Sequence, residues 1–360
     1  MSKTLEQLLG YVYLTGIIQR IKTGIPDVLP SAFSTIKKQV LGDAGRYTQT
    51  FGTRKTARRA EYGAPAVKQE LLGIEVKDVK LLHALEKITM NPLTLQLLRS
   101  YDSYDLQKMG IDELNRQQLE FKQRFDNLRL AAVYSMLSLG AIYFDGSGNL
   151  LPTSSGAKVT VDFGVSANNQ SQLNGIITAS WANFNTDIPG QLRALKQRAA
   201  QLTGYPLKYA FYGKSIPSYL SQNNYVLDYL SRNPPVAQKF LDQAELPDNL
   251  FGYTWVPVYT AFYTDVDGTN QTFFGDDTVV FTPEIDSTIY EMIEGSYQVP
   301  SSFNATQNMA AALASMKTVH GQFSYGVPVH DPPTVEMFYG DTFLPVYKIP
   351  DTIFQADVTP

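Results

Sequence analysis

The chain has 360 residues, 44% of them apolar and only 18% charged, enough for a large core and for two packed units rather than one. It has no cysteine and three histidines, His83, His320 and His330, which excludes disulfides, thiolate nucleophiles and Cys-based metal sites and leaves little for His-based catalysis. The net charge of −4 is unevenly spread, with 15 Lys/Arg against 8 Asp/Glu in residues 1–99 and 2 against 16 in residues 242–360. Such polarity can steer the basic part of one copy onto the acidic part of another. The low charge and the 22 Tyr and 19 Phe suit either a strand-rich protein or surfaces covered by neighbours.

Residues 1–45 read as an N-terminal arm. The apolar stretch Leu5–Ile21 holds Glu6, Gln7 and Gln19; it lacks the flanks of an export signal and falls short of the ~20 apolar residues that span a bilayer. It is expected to pack on protein. Gly24, Pro26 and Pro30 break it, and Ala32–Leu41 runs on to Gly42. Residues 46–80 read as a projecting loop around a basic cluster, Arg46, Arg54, Lys55, Arg58 and Arg59. The cluster is short and lacks aromatic residues for base stacking, so acidic protein is its expected contact rather than nucleic acid. Lys80–Arg99 shows helical spacing at Leu81, Leu82, Leu85 and Ile88, interrupted by Asn91-Pro92.

A long amphipathic helix is predicted over 112–139. Asp112 serves as N-cap and Gly140 as C′ residue, with Leu114, Phe121, Phe125, Leu128, Ala132, Met136 and Leu139 on one stripe. It would be about 40 Å long. Then the period changes. Ala141–Asp145 and Asn149–Pro152 flank Gly146-Ser147-Gly148 as a hairpin, and Lys158–Phe163 alternates as a strand. Asp187–Thr203 is predicted helical, and Ser215–Ser231 is expected to hold a second helix. Tyr253–Thr264 and Thr272–Thr282 are predicted strands around Asp267-Gly268. Ala305–Met316 fits a short Ala-rich helix, and the last 40 residues read as short strands. The class is α+β.

Signatures of chemistry are missing. There is no GxxxxGK[ST], no GxGxxG between a strand and a helix, and no GxSxG elbow. Asp265, Asp267 and Gly268 fail the EF-hand spacing. His320, His330 and Asp331 match no standard ligand pattern, while Asp276-Asp277 and Glu291/Glu294 read as chance pairs in an acid-rich region. No cofactor or metal is expected, and the chain reads as no enzyme.

Several segments in order resemble the lambda protein E family of tailed-phage major capsid proteins. They are RLAAVYSMLSLGAIYFDGSG (129–148), VTVDFG (159–164), Trp181, GYTWVPVYTAFYTDVDGTNQTFFGDDTVVFTP (252–283) and LPVYKIPDTIFQADV (344–358). Each is weak alone; their order and spacing carry the resemblance. The chain departs from the family at Arg124-Phe125-Asp126, where more charged residues are usual. The resemblance implies the Hong Kong 97 phage capsid fold: an arm over 1–45, an E-loop over 46–80, and a P domain over 81–175 whose spine helix is 112–139. An A domain over 176–310 and a return to the P domain over 311–360 complete it. It also implies self-assembly of hexamers and pentamers into an icosahedral head around double-stranded DNA. Scaffolding, portal and decoration proteins are the implied partners, with no membrane, and assembly takes place in the host bacterial cytoplasm. The five basic residues would then be inter-subunit contacts. The competing expectations are an encapsulin-like compartment shell and a metal-dependent hydrolase using His320 and His330.

Overall fold

The computed structural model describes residues 4–21, 29–50, 74–100, 103–166, 169, 177–232, 246–247, 249–258, 262–264, 268, 270–300, 303, 316–329 and 334–359. Thr4 opens the first helix with a capping box, its hydroxyl accepting from the Gln7 amide while the Gln7 side chain accepts from the Thr4 amide. Helices α1 (Leu5–Leu9) and α2 (Tyr11–Arg20) are followed by α3 (Ala32–Thr35) and the three-residue β1 (Lys37–Gln39). The next segment is a hairpin stem, β2 (Ala44–Thr50) against β3 (Ile74–Lys80), not the bare loop expected over 46–80. Alternate residues of β2 are buried, a two-residue period too short-lived to stand out in the sequence.

Residues 80–99 also differ from their helical reading. Leu81, Leu82, Leu85 and Ile88 belong to or adjoin a strand, β4 (Leu82–Thr89), and only α4 (Pro92–Arg99) is helical. The spacing fits a helix locally, but β4 pairs over its whole length with the distant segment 336–343, and tertiary pairing overrides local pattern. Asn91 caps α4 through Leu93, with Pro92 in the first turn.

The long helix, α5 (Tyr104–Leu139), starts at Ser103 rather than Asp112. Its 36 residues span about 54 Å at 1.5 Å per residue. Gly110 lowers helix propensity where the earlier turns would otherwise be legible. It is kept helical because α4 crosses there: a Cβ on Gly110 would lie 2.9 Å from the Leu98 amide nitrogen. At the other end Gly140 caps the helix as expected, with φ 68°. Leu114, Phe121, Phe125, Ala132 and Met136 of the predicted stripe are buried. From Ala131 to Leu137 every residue is buried, because these turns pass between two sheets.

After α5 come β5 (Ala141–Phe144), β6 (Leu150–Leu151) and β7 (Val159–Asp162), a small antiparallel sheet in the expected places. Helix α6 (Ile188–Leu202), strand β8 (Leu207–Tyr212) and helices α7 (Ile216–Gln222) and α8 (Asn224–Ser231) follow. The single helix expected in 215–231 is split at Asn223, whose side chain accepts from the amides of Tyr225 and Val226. Strand β9 (Thr254–Pro257) pairs with β8, whereas β10 (Phe262–Thr264) and β11 (Asn270–Thr272) form their own hairpin. One long strand was expected where β9 and β10 go to different sheets. The chain continues through β12 (Thr278–Pro283), β13 (Tyr290–Glu294), β14 (Ser296–Pro300), β15 (Met316–His320), β16 (Phe323–Val329), β17 (Thr334–Tyr347) and β18 (Phe354–Asp357). The predicted helix at 305–316 lies outside the described residues except for Met316, which begins β15.

Two sheets organise the molecule. The first runs β1-β13-β17-β16 with β4 also on β17; the second runs β18-β12-β8-β9. Helix α5 lies across the first, where Phe121 stacks on Tyr339 at 3.8 Å and 3°. Its buried end shares one core with Phe211 and Val280 of the second. Strand β18 belongs to the second sheet, so the segment 311–360 feeds both.

Candidate assembly surfaces

The stem of the β2–β3 hairpin is fastened to its own chain. Tyr47 and Gln49 on the inner face of β2 are buried, and the Gln49 side-chain amide donates to the Phe163 carbonyl at the end of β7. Burial, with the negative charges of Asp162 and Glu75 nearby, pushes the Tyr47 hydroxyl up to about 12. On the exposed outer face Arg46 makes a bidentate pair with Asp78 across the hairpin, at 2.7 and 3.1 Å. This carboxylate is thereby held below its ordinary value. Arg46 is thus matched within its own stem. Arg54, Lys55, Arg58 and Arg59 lie outside the described residues, so the structure does not place the predicted cluster as a group.

Behind the stem lies an ionic network that the sequence did not disclose. Arg129 of α5 grips Asp341 of β17 through two hydrogen bonds, at 2.6 and 2.7 Å, and Glu294 of β13 at 2.9 Å. Lys37 of β1 reaches the same Glu294 oxygen at 3.0 Å. Burial would weaken the Arg129 charge, but Asp341 and Glu294 outweigh it and hold the guanidinium more firmly protonated. Burial would likewise raise the Glu294 carboxyl; the charges of Arg129 and Lys37 hold it below the usual range instead. A second carboxylate, Glu291, is shared between Lys38 at 3.5 Å and Lys348 at 2.6 Å. The Glu291/Glu294 pair, taken from the sequence as coincidence, therefore ties helix, sheet and arm together.

The N-terminal helices dock on their own subunit. Leu8, Leu9, Leu14 and Ile18 are buried in one cluster with Phe121, Phe125, Met337 and Tyr339. Thr15 caps the edge of β16: its hydroxyl donates to the Ser324 carbonyl at 3.1 Å and accepts from the Ser324 amide at 3.2 Å. Gly326 leaves room for the arm, since a Cβ there would lie 3.1 Å from the Leu9 carbonyl oxygen. This agrees with an arm that packs on protein.

Large apolar side chains remain exposed on and beside helix α8. Helix α8 buries Val226 and Leu230 and exposes Tyr225, Leu227 and Tyr229, while Phe184 is 53% exposed beside it. Asn224 joins the two parts, its amide donating to the Phe184 carbonyl and its side chain to Asn185. Tyr225 and Tyr229 lie one turn apart on one flank of α8, and Leu227 lies on the other.

His83 sits on β4, not on a helix; its Nδ1 lies 2.8 Å from the Thr342 hydroxyl and its ring stacks on Tyr297. His320 ends β15, and His330 and Asp331 fall outside the described residues. Among the described residues no group of three or more His, Asp or Glu could hold a metal. No described helix is long and apolar enough to cross a membrane.

A family model described as phage major capsid protein E matches residues 11–358. No curated protein matches the chain in sequence. Among solved structures, a protein assigned as a prophage capsid protein of Escherichia coli CFT073 is similar at 14% identity and a TM-score of 0.55, covering 97% of this chain and 99% of its own. A phage-related protein from Bordetella bronchiseptica RB50 is similar at 10% identity and a TM-score of 0.50, covering 97% of both chains. At such identities the likeness is one of fold, and that fold is the Hong Kong 97-like phage capsid fold.

Proposed function

The chain belongs to the phage major capsid protein E family and is a shell-forming structural protein, and we propose that it encloses packaged double-stranded DNA in an icosahedral head. The observation that carries this reading is the family match over residues 11–358. The long helix, the two sheets and the hairpin stem are the supporting geometry. In this reading residues 176–310 form the A domain, and Tyr225 and Tyr229 of α8 with Phe184 meet their equivalents around the centre of each hexamer or pentamer. Residues 46–80 form the E-loop, and Arg54, Lys55, Arg58 and Arg59 bear on an acidic face of the next subunit. Arg46 contributes less, being matched already by Asp78. The arm and the remaining P-domain segments complete the subunit. Many weak contacts then close a shell through effective concentration rather than one tight interface. Scaffolding and portal proteins serve as assembly partners, and assembly takes place in the host bacterial cytoplasm. The role is structural, not catalytic.

Electron microscopy of the expressed protein, with and without its scaffolding partner, tests this reading. Shells, tubes or curved sheets are expected. A compact monomer at high concentration under both conditions overturns it. Reversing Arg54, Lys55, Arg58 and Arg59 to Glu should abolish closed shells and leave subunit melting unchanged; normal shells from that variant overturn the E-loop contact.

A further inference from the structure

We propose that Ile36–Gly42 is a strap that lifts from the edge of β13 while the rest of the subunit stays folded, with Lys37 and Lys38 as its catch. Both ends are fixed. On one side Phe33 is buried, edge-on to Tyr290 at 4.8 Å and to Phe211 at 6.0 Å. On the other, Tyr47 and Gln49 are sunk into the body as described. Between them the chain lies on the surface, paired to β13 along one side only. All three residues of β1 are exposed, and Leu41 is 82% exposed. A cavity of about 260 Å³ lies under the start of this segment, between Ser34 and Lys37 on one side and Arg129, Val133 and Met292 on the other.

The decisive point is how the charges are shared. Glu294 is held by Lys37 from the strap and by Arg129 from the body; Glu291 is held by Lys38 from the strap and by Lys348 from the body. Detaching a partner from a buried ion pair is ordinarily expensive because it orphans the other charge. Here neither carboxylate is orphaned when the strap leaves. The two lysines, with side chains already 43% and 46% exposed, pass into water. The bonds given up are the short parallel ladder of β1 on β13 with its flanking backbone bonds from Met292 to Ile36, from Val40 to Glu294 and from Ser296 to Gly42, together with the Gly42 amide to the Ser296 hydroxyl and the Lys38 ammonium to the Arg46 carbonyl. Their groups on β13 then face solvent as an ordinary sheet edge. Ile36 and Val40, half-buried against the core, supply the apolar hold of the closed state. Opening of this kind is sub-global and independent of whole-subunit unfolding.

Hydrogen exchange on the full chain at neutral pH, read by mass spectrometry, tests it. Amides of 36–42 should exchange about 100-fold faster than those of β17. Lys37→Met with Lys38→Met should speed the strap a further several-fold and leave β17 exchange and the melting temperature as they were. Equal protection of strap and β17 overturns the proposal, and so does a double variant whose strap is no faster. Use of the strap in fitting a subunit to its place in a shell rests on the proposed function. An opening strap in a protein that forms no shells counts against that function and leaves the strap standing.

Discussion

Replacing Arg129 by Met leaves a hydrophobic stem of similar length where a buried guanidinium stood. Asp341, fully buried, then loses both short hydrogen bonds and its only cation among the described residues. Glu294 keeps Lys37. Removing one partner of a buried pair costs about 3–5 kcal/mol, and the surviving Lys37 contact places this case near the lower limit, about 3 kcal/mol. For a chain of 360 residues, an unfolding entropy of ~2.1 cal/mol/K per residue converts that loss to a fall of about 4 °C in melting temperature. Acid behaviour should change as well. In the parent protein the Glu294 carboxyl is held below its ordinary value of 4.5. Its stabilisation is complete above that value and disappears as pH falls through the depressed one. Without Arg129 the depression shrinks and less of this stabilisation remains at neutral pH, while acid also relieves the uncompensated Asp341 charge, so the deficit of the variant relative to the parent should narrow as pH falls. Thermal and acid unfolding followed by circular dichroism provide the measurement. Asp341→Asn added to Arg129→Met should restore about 2 kcal/mol by removing the orphaned charge. A single-variant cost below about 1 kcal/mol, or a second substitution that deepens the loss, would refute the reasoning.

Two further outcomes are expected. Thr15→Val keeps the volume of the side chain but strips both hydrogen bonds from Ser324; it should cost about 1–3 kcal/mol in chemical unfolding and speed limited proteolysis within residues 4–21. Gly340→Ala sets a methyl 2.3 Å from the Phe323 ring; a loss of about 1–3 kcal/mol is expected from overpacking, with Phe323→Leu in the same chain recovering part of it.

What the sequence disclosed depended on how far each residue's partners lie along the chain. Residues 112–139 of α5 were legible because their stripe repeats locally and Gly140 ends it. The hairpin at Gly146-Ser147-Gly148 and helix α6 were legible for the same reason. Strand β4 was not: Leu81, Leu82, Leu85 and Ile88 satisfy a helical spacing, and only the edge of β17 about 250 residues later decides between the two. Glu291 and Glu294 looked accidental because the cations that give them meaning, Lys37, Lys38, Arg129 and Lys348, are scattered over the chain. Thr15 carried no signal at all, since its partner is 309 positions away. The exposed face of α8 could be suspected from its two tyrosines. Exposure itself required knowing that Val226 and Leu230 point inward.

Strand β17 pairs with β16 over 334–340, with β4 over 336–343 and with β13 over 343–347, and it supplies Met337 and Tyr339 to the seat of the arm. A chain leaves the ribosome amino end first. During most of its synthesis, then, β4 and the arm helices have been made while the strand that receives them has not. The first sheet is therefore a late event in the life of the nascent polypeptide, because its pairings join segments far apart in the chain. A truncated or stalled chain lacks the template for its main sheet and offers its neighbours no complete surface to join.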